Sequence, residues 1–196
     1  ATHHGVFDIA FLRCIPNMVI CAPIDEVDFR NLLYTAQFST NKPIAIRYPR
    51  GKGTLIKWQL PMQKLEIGQG SCLSEGSDLA VLTIGTIGNT MRNIHSELPH
   101  GKIGHYHMRF IKPLDEALLH DIMKSHSKIL TLEDGTVTGG FGTAILEFAS
   151  KHGYNNAIKV LGIPDNFIEH GKVNELLSSI ELSADKIKKV LINLTE

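Results

Sequence analysis

Cysteine is scarce in this sequence: Cys14, Cys21 and Cys72 are the only three, and no two of them form a CxxC pair. That spacing offers neither a zinc knuckle nor a dithiol redox centre, and the odd count argues against a disulfide framework, so a reducing, cytoplasmic compartment is expected. Charge of one sign is also missing, because 20 Lys and Arg are balanced by 20 Asp and Glu. Without a net field, nucleic acid and anionic membrane are excluded as charge-driven partners. Apolar runs are short: Met18 to Ile24 and Leu79 to Ile84 fall far below the roughly 20 residues that cross a bilayer. Nor does an initiator Met, a basic n-region or an apolar h-region open the chain, which begins Ala1-Thr2-His3-His4-Gly5. It reads as a chain that starts inside a longer one.

What is present is alternation. The 196 residues are 43% hydrophobic, enough for one moderate core or two small ones. MVICAP at 18–23 is an apolar run of the kind found in buried strands, followed from Asp25 by helical spacing (Phe29, Leu32, Leu33, Ala36) that should end near Ser39. PIAIRYP at 43–49 is a second apolar strand, so 18–49 reads as strand, helix and strand with parallel pairing. Periodicity is lost over 51–66, around Gly51, Gly53, Trp58 and Pro61, and a linker is placed there. Strands are then expected near 70–74, 78–85, 103–107, 128–134 and 157–163, with helices at 87–97, 114–124, 140–152, 172–178 and 184–194. The fold class is α/β: a partial domain at 1–50, a linker at 51–66, and at 67–196 a complete domain with a mainly parallel sheet covered by helices.

Local signals are mostly structural in character. Gly85-Thr86-Ile87-Gly88 lacks the full GxGxxG spacing of a dinucleotide loop. Gly139-Gly140-Phe141-Gly142 opens a helix, where backbone N–H groups can hold an anion, although close helix packing is the favoured reading. Glu133 and Asp134 are neighbours on a strand and so point to opposite faces, which suits them poorly to share a proton or a metal. The scattered histidines, among them His95, His105, His107, His120, His126 and His152, show no metal-ligand spacing and are expected at the surface or at caps. His3 and His4 differ, preceding Gly5 in a loop that leads into a helix around Phe7 to Leu12. Arg47 and Arg50 sit at the C-terminal end of a parallel strand, the edge where open α/β sheets bind ligands. They suit an anion, with structural salt bridges an equal alternative.

The motifs go further. THHGVFDIAFLRCIPNMVICAPIDEVDFRNLLYTA from Thr2, and KPIAIRYPRG from Lys42, resemble the pyrimidine-binding domain of the 1-deoxy-D-xylulose-5-phosphate synthases, a family of transketolase-like thiamine-diphosphate enzymes. HMRFIKPLDEALL at 107–119, LEDGTVTGGFGTAILE at 132–147 and LGIPDNFIEHG at 161–171 resemble the same family's transketolase-type C-terminal domain. Gly5 and the RYPRG strand end separate the pattern from transketolases, which carry THxP; His4 stands where Gln is common.

The resemblance implies an enzyme that condenses pyruvate with D-glyceraldehyde 3-phosphate, releasing CO2, in isoprenoid and thiamine biosynthesis. It implies that His3 faces the cofactor's reactive carbon and the substrate, and that Arg50 binds the aldehyde's phosphate. Thiamine diphosphate and Mg2+ are expected in the full-length homodimeric enzyme, held by a GDG-type motif and an earlier glutamate. This chain contains neither, so no metal ligands are expected in it, and alone it should be inactive and bind no cofactor. Two alternatives remain: a transketolase-like enzyme with another donor, and an assembly or regulatory role for the C-terminal domain.

Overall fold

The computed structural model describes residues 4–38, 42–51, 53, 59–98 and 100–195. Helix α1 (Asp8–Arg13) leads into β1 (Val19–Cys21), α2 (Glu26–Phe38) and β2 (Ile44–Ile46). β1 and β2 pair in parallel, Val19 opposite Ile44 and Cys21 opposite Ile46, as the apolar runs require. Asp25 accepts from the Asp28 N–H at 2.9 Å, which starts α2 at an N-cap.

The buried face of α2 departs from the apolar spacing. Asp28, Asn31, Leu32 and Thr35 face inward, while Leu33 is 43% exposed. Two of the polar groups on this face are met by the chain that follows β2: Asn31 Oδ1 accepts from Gln63 N at 2.9 Å and Thr35 Oγ1 from Leu65 N at 2.8 Å. Hydrogen bonding to a neighbouring segment, rather than apolar contact, selects the face.

Beyond residue 67 run β3 (Ser71–Ser74), β4 (Leu79–Thr83), α3 (Ile87–His95), β5 (Ile103–His107), β6 (Phe110–Lys112), α4 (Glu116–Ser125), β7 (Lys128–Thr136), α5 (Phe141–Lys151), β8 (Ala157–Ile163), α6 (Val173–Ser179) and α7 (Ala184–Thr195). Five strands lie in the order β3-β5-β4-β7-β8, all parallel except β3. Side chains alternate across this sheet. Ala80, Leu82 and Ile129 face the layer of α1, α4 and α5 with Ile9, Leu119, Phe141 and Ile145. Leu79, Val81, Leu130 and Leu132 face the layer of α3 and α7 with Met91, Ile187 and Leu191. Both faces are covered, as a parallel sheet demands.

Strand β6 has no counterpart in the sequence reading. It pairs antiparallel with β1, giving a second sheet ordered β2-β1-β6, so the N-terminal and C-terminal segments share a sheet. The expected linker falls partly outside the described residues, which omit 52 and 54–58 and therefore Trp58.

Three histidines are buried rather than at the surface. His105 and His107 are each 1% exposed and His126 is 4% exposed. Each has a polar partner: Thr83 Oγ1 lies 2.9 Å from His105 Nε2, Asp28 Oδ2 lies 3.2 Å from His107 Nε2, and the Gly76 carbonyl lies 2.8 Å from His126 Nε2. Removal from water pushes the pKa of His105 down to about 3, so it is neutral.

Candidate substrate-binding edge

Parallel strands direct their C-terminal ends to one edge, and there the chain assembles its charged groups. Strand β2 stops at Ile46, so Arg47, Tyr48, Pro49 and Arg50 lie just past it. The Arg47 N–H still donates to the Cys21 carbonyl at 2.8 Å, and Tyr48 packs on Phe29 with ring centroids 4.6 Å apart. These contacts fix the backbone that leads to Arg50.

The two arginines have different environments. Arg47 Nε donates to Asp8 Oδ1 and Oδ2, each at 3.0 Å, its Nη2 to the Asp134 carbonyl at 3.0 Å, and its Nη1 to Asp134 Oδ1. Burial alone would lower its pKa; Asp134 and Asp8 outweigh this and hold it above the ordinary arginine value. Arg47 is thus occupied by carboxylates, the structural alternative that the sequence left open. Arg50 is exposed, and among the described residues no ion pair includes it. Of the two, Arg50 is the cation available to an anionic ligand.

The glycine-rich turn before α5 does hold a carboxyl group, and that group belongs to the chain. Glu133, 0% exposed, accepts from Phe141 N and Gly142 N, both at 2.8 Å. A Cβ on Gly140 would overlap the Thr136 carbonyl and Glu133 Oε2, so only glycine lets the turn close over the carboxylate. Burial pushes the Glu133 pKa up to about 7, against the pull of the two N–H donors. Asp134 turns the other way, toward Arg47, as strand alternation requires.

His4 is partly buried just ahead of α1, whereas His3 lies outside the described residues. Downstream of His4, the Val6 carbonyl accepts from Thr136 N at 2.8 Å, which joins the loop to the end of β7. The sequence reading did not single out Asp8, Asp28 or Arg109. Arg109, at φ 53°, donates to Asp28 Oδ1 at 2.7 Å, the Gln69 carbonyl at 2.8 Å and Ser71 Oγ at 2.9 Å. The available signal for Asp28 was a carboxylate placed within the apolar spacing of a helix.

Comparison with known families agrees with this architecture. The transketolase C-terminal domain profile matches residues 68–187, and the transketolase pyrimidine binding domain profile matches residues 1–54. The chain belongs to the transketolase C-terminal domain family.

Within that family the chain is similar to proteins named 1-deoxy-D-xylulose-5-phosphate synthase. It is 48% identical to the protein of Phocaeicola vulgatus over 195 residues, which is 98% of this chain and 31% of that protein. It is 46% identical to the protein of a Geobacillus species over 197 residues, 97% of this chain and 31% of the relative. The chain therefore spans under a third of the length of these relatives. Among solved structures, a split-gene transketolase described as an inactive beta4 tetramer superposes with a TM-score of 0.81 at 24% identity, over 98% of this chain and 63% of that one. Transketolase from Campylobacter jejuni superposes at a TM-score of 0.63 and 15% identity, over 96% of this chain and 28% of that chain. These two likenesses establish the fold.

Proposed function

We propose that this chain is the C-terminal part of a 1-deoxy-D-xylulose-5-phosphate synthase, which joins pyruvate to D-glyceraldehyde 3-phosphate with loss of CO2. The observation that carries this reading is 45–48% identity over nearly the whole chain to relatives bearing that name. The domain division at 1–50, 51–66 and 67–196 belongs to the same proposal.

Arg50 is assigned to the phosphate of the aldehyde substrate. It is an exposed guanidinium beyond β2 that enters no ion pair among the described residues, and a planar fork of donors suits phosphate oxygens. His3 is assigned to the reacting centre on the strength of its place in the THHG motif. An imidazole there can move a proton near neutral pH.

Among the described residues no group of three or more His, Cys, Asp or Glu side chains converges to hold a metal ion. Thiamine diphosphate and Mg2+ are assigned to the remainder of the full-length enzyme, because the GDG-type motif expected to hold them does not occur in this sequence. No helix of the described residues is long and apolar enough to cross a membrane, and a cytoplasmic location belongs to this reading. So does a homodimer.

The test is donor choice in the full-length protein. With glyceraldehyde 3-phosphate as acceptor, pyruvate should be consumed and a ketose phosphate should not. The opposite preference would favour the transketolase-like alternative.

A further inference from the structure

Arg47 stands at the ligand edge, yet all three of its guanidinium nitrogens are engaged within the chain: Nε with Asp8, and Nη1 and Nη2 with Asp134. The arrangement joins three stretches that are far apart in sequence. Asp8 lies four residues after His4, Arg47 three residues before Arg50, and Asp134 at the end of β7 in the C-terminal half. The side chains of Arg47, Asp8 and Asp134 are 16%, 24% and 27% exposed, so the cluster is only partly screened by water.

One further contact keeps the cluster in place. Thr136 N, two residues beyond Asp134, donates to the Val6 carbonyl at 2.8 Å. Gly85, after β4, borders the same corner, where a Cβ would stand at ordinary van der Waals distance, 3.9 Å, from both Arg47 Nη1 and Asp134 Oδ1. The main sheet thus supports this corner through the end of β7. A lysine could replace the charge of Arg47 but not its fork, which reaches two carboxylates on different elements at once.

We infer that Asp134 is a positioning residue: through Arg47 it lets the C-terminal half hold the loop after His4 and the backbone before Arg50 in one arrangement. This gives the C-terminal half a part in the substrate site without contact between Asp134 and substrate. The inference rests on the proposed roles of His3 and Arg50, because its consequence is felt through them. Misplacing a reacting group by about an ångström is enough to cost on the order of a hundredfold in rate.

The experiment uses the full-length enzyme with Asp134→Asn and Arg47→Lys, and has two arms. In the first, amide exchange over residues 5–9 should accelerate by about tenfold or more in both variants, while β4 and β7 keep their protection. In the second, kcat should fall by on the order of tenfold to a hundredfold, and the penalty of His3→Ala should be smaller in the Asp134→Asn background than in the wild type. Unchanged exchange over 5–9 overturns the inference. So does a general loss of protection with fully additive His3 and Asp134 effects, which marks a merely structural ion pair. If the wild-type protein has no synthase activity, the proposed function fails, and the exchange arm still decides whether Asp134 holds the loop.

Discussion

His107 places Nε2 3.2 Å from Asp28 Oδ2, joining β5 to α2 where the two residues are 1% and 7% exposed. Arg109 donates to the other oxygen at 2.7 Å, and Ile24 N donates to Oδ2 at 3.2 Å. Burial alone would raise the Asp28 pKa; His107 and Arg109 outweigh it and hold the carboxyl below its ordinary value. Such a group stabilises the fold above its unfolded pKa, and the contribution is lost as pH falls through the folded one. Asp28→Asn leaves Arg109 without its carboxylate and should cost about 3–5 kcal/mol near neutral pH. Urea unfolding at pH 7 and pH 3 checks this, with the difference from wild type shrinking in acid. An equal difference at both values would show that the charge is not what matters.

Glu133 should titrate with the opposite sign. Its pKa is raised from 4.5 to about 7, so between these values the folded chain binds a proton that the unfolded chain has released. Stability from this group therefore falls as pH rises from about 4.5 to about 7, by on the order of 3 kcal/mol. His105, depressed to about 3, contributes a rising stability as pH increases toward its ordinary value of 6.5. The two slopes overlap, so the quantity to measure is the pH dependence of wild type minus that of Glu133→Gln. That difference should decline across the window, and a flat difference would remove Glu133 as its source.

Gly140→Ala should destabilise by about 1–3 kcal/mol, because the new methyl group meets the Thr136 carbonyl and the Glu133 carboxylate. Its effect should not add to that of Glu133→Gln, since both disturb the same pair of N–H bonds to α5. Additive thermal unfolding shifts in the double variant would contradict the shared site.

Much of this architecture was legible from periodicity. Residues 78–85 and 128–134 carry runs that only a doubly covered sheet buries, and they became β4 and β7. β6 is not legible in the sequence because three residues, Phe110–Lys112, followed by Pro113, show no period, and their pairing with β1 is a tertiary event. The Arg47 cluster was legible only in part. The need of a deeper arginine for a carboxylate follows from charge burial, but Asp8 and Asp134 lie 39 and 87 residues away in sequence. His105 looked like a surface residue because its partner, Thr83, lies on the adjacent parallel strand.

Arg50→Ala in the full-length enzyme should raise KM for glyceraldehyde 3-phosphate and leave that for pyruvate nearly unchanged. Losing a hydrogen bond to a charged phosphate costs about 2 kcal/mol, or roughly thirtyfold. The effect should vanish for unphosphorylated glyceraldehyde. Equal discrimination against both aldehydes would make Arg50 structural.

The measurement closest to the central claim follows carbon through the full-length protein, supplied with thiamine diphosphate, Mg2+, glyceraldehyde 3-phosphate and pyruvate labelled with 13C at either C1 or C2. By NMR, the C1 label should appear in released CO2 or bicarbonate, and the C2 label should appear as the ketone carbon of a five-carbon 1-deoxy ketose phosphate. Retention of both labels in pyruvate, alongside turnover of a ketose phosphate donor, would contradict the account.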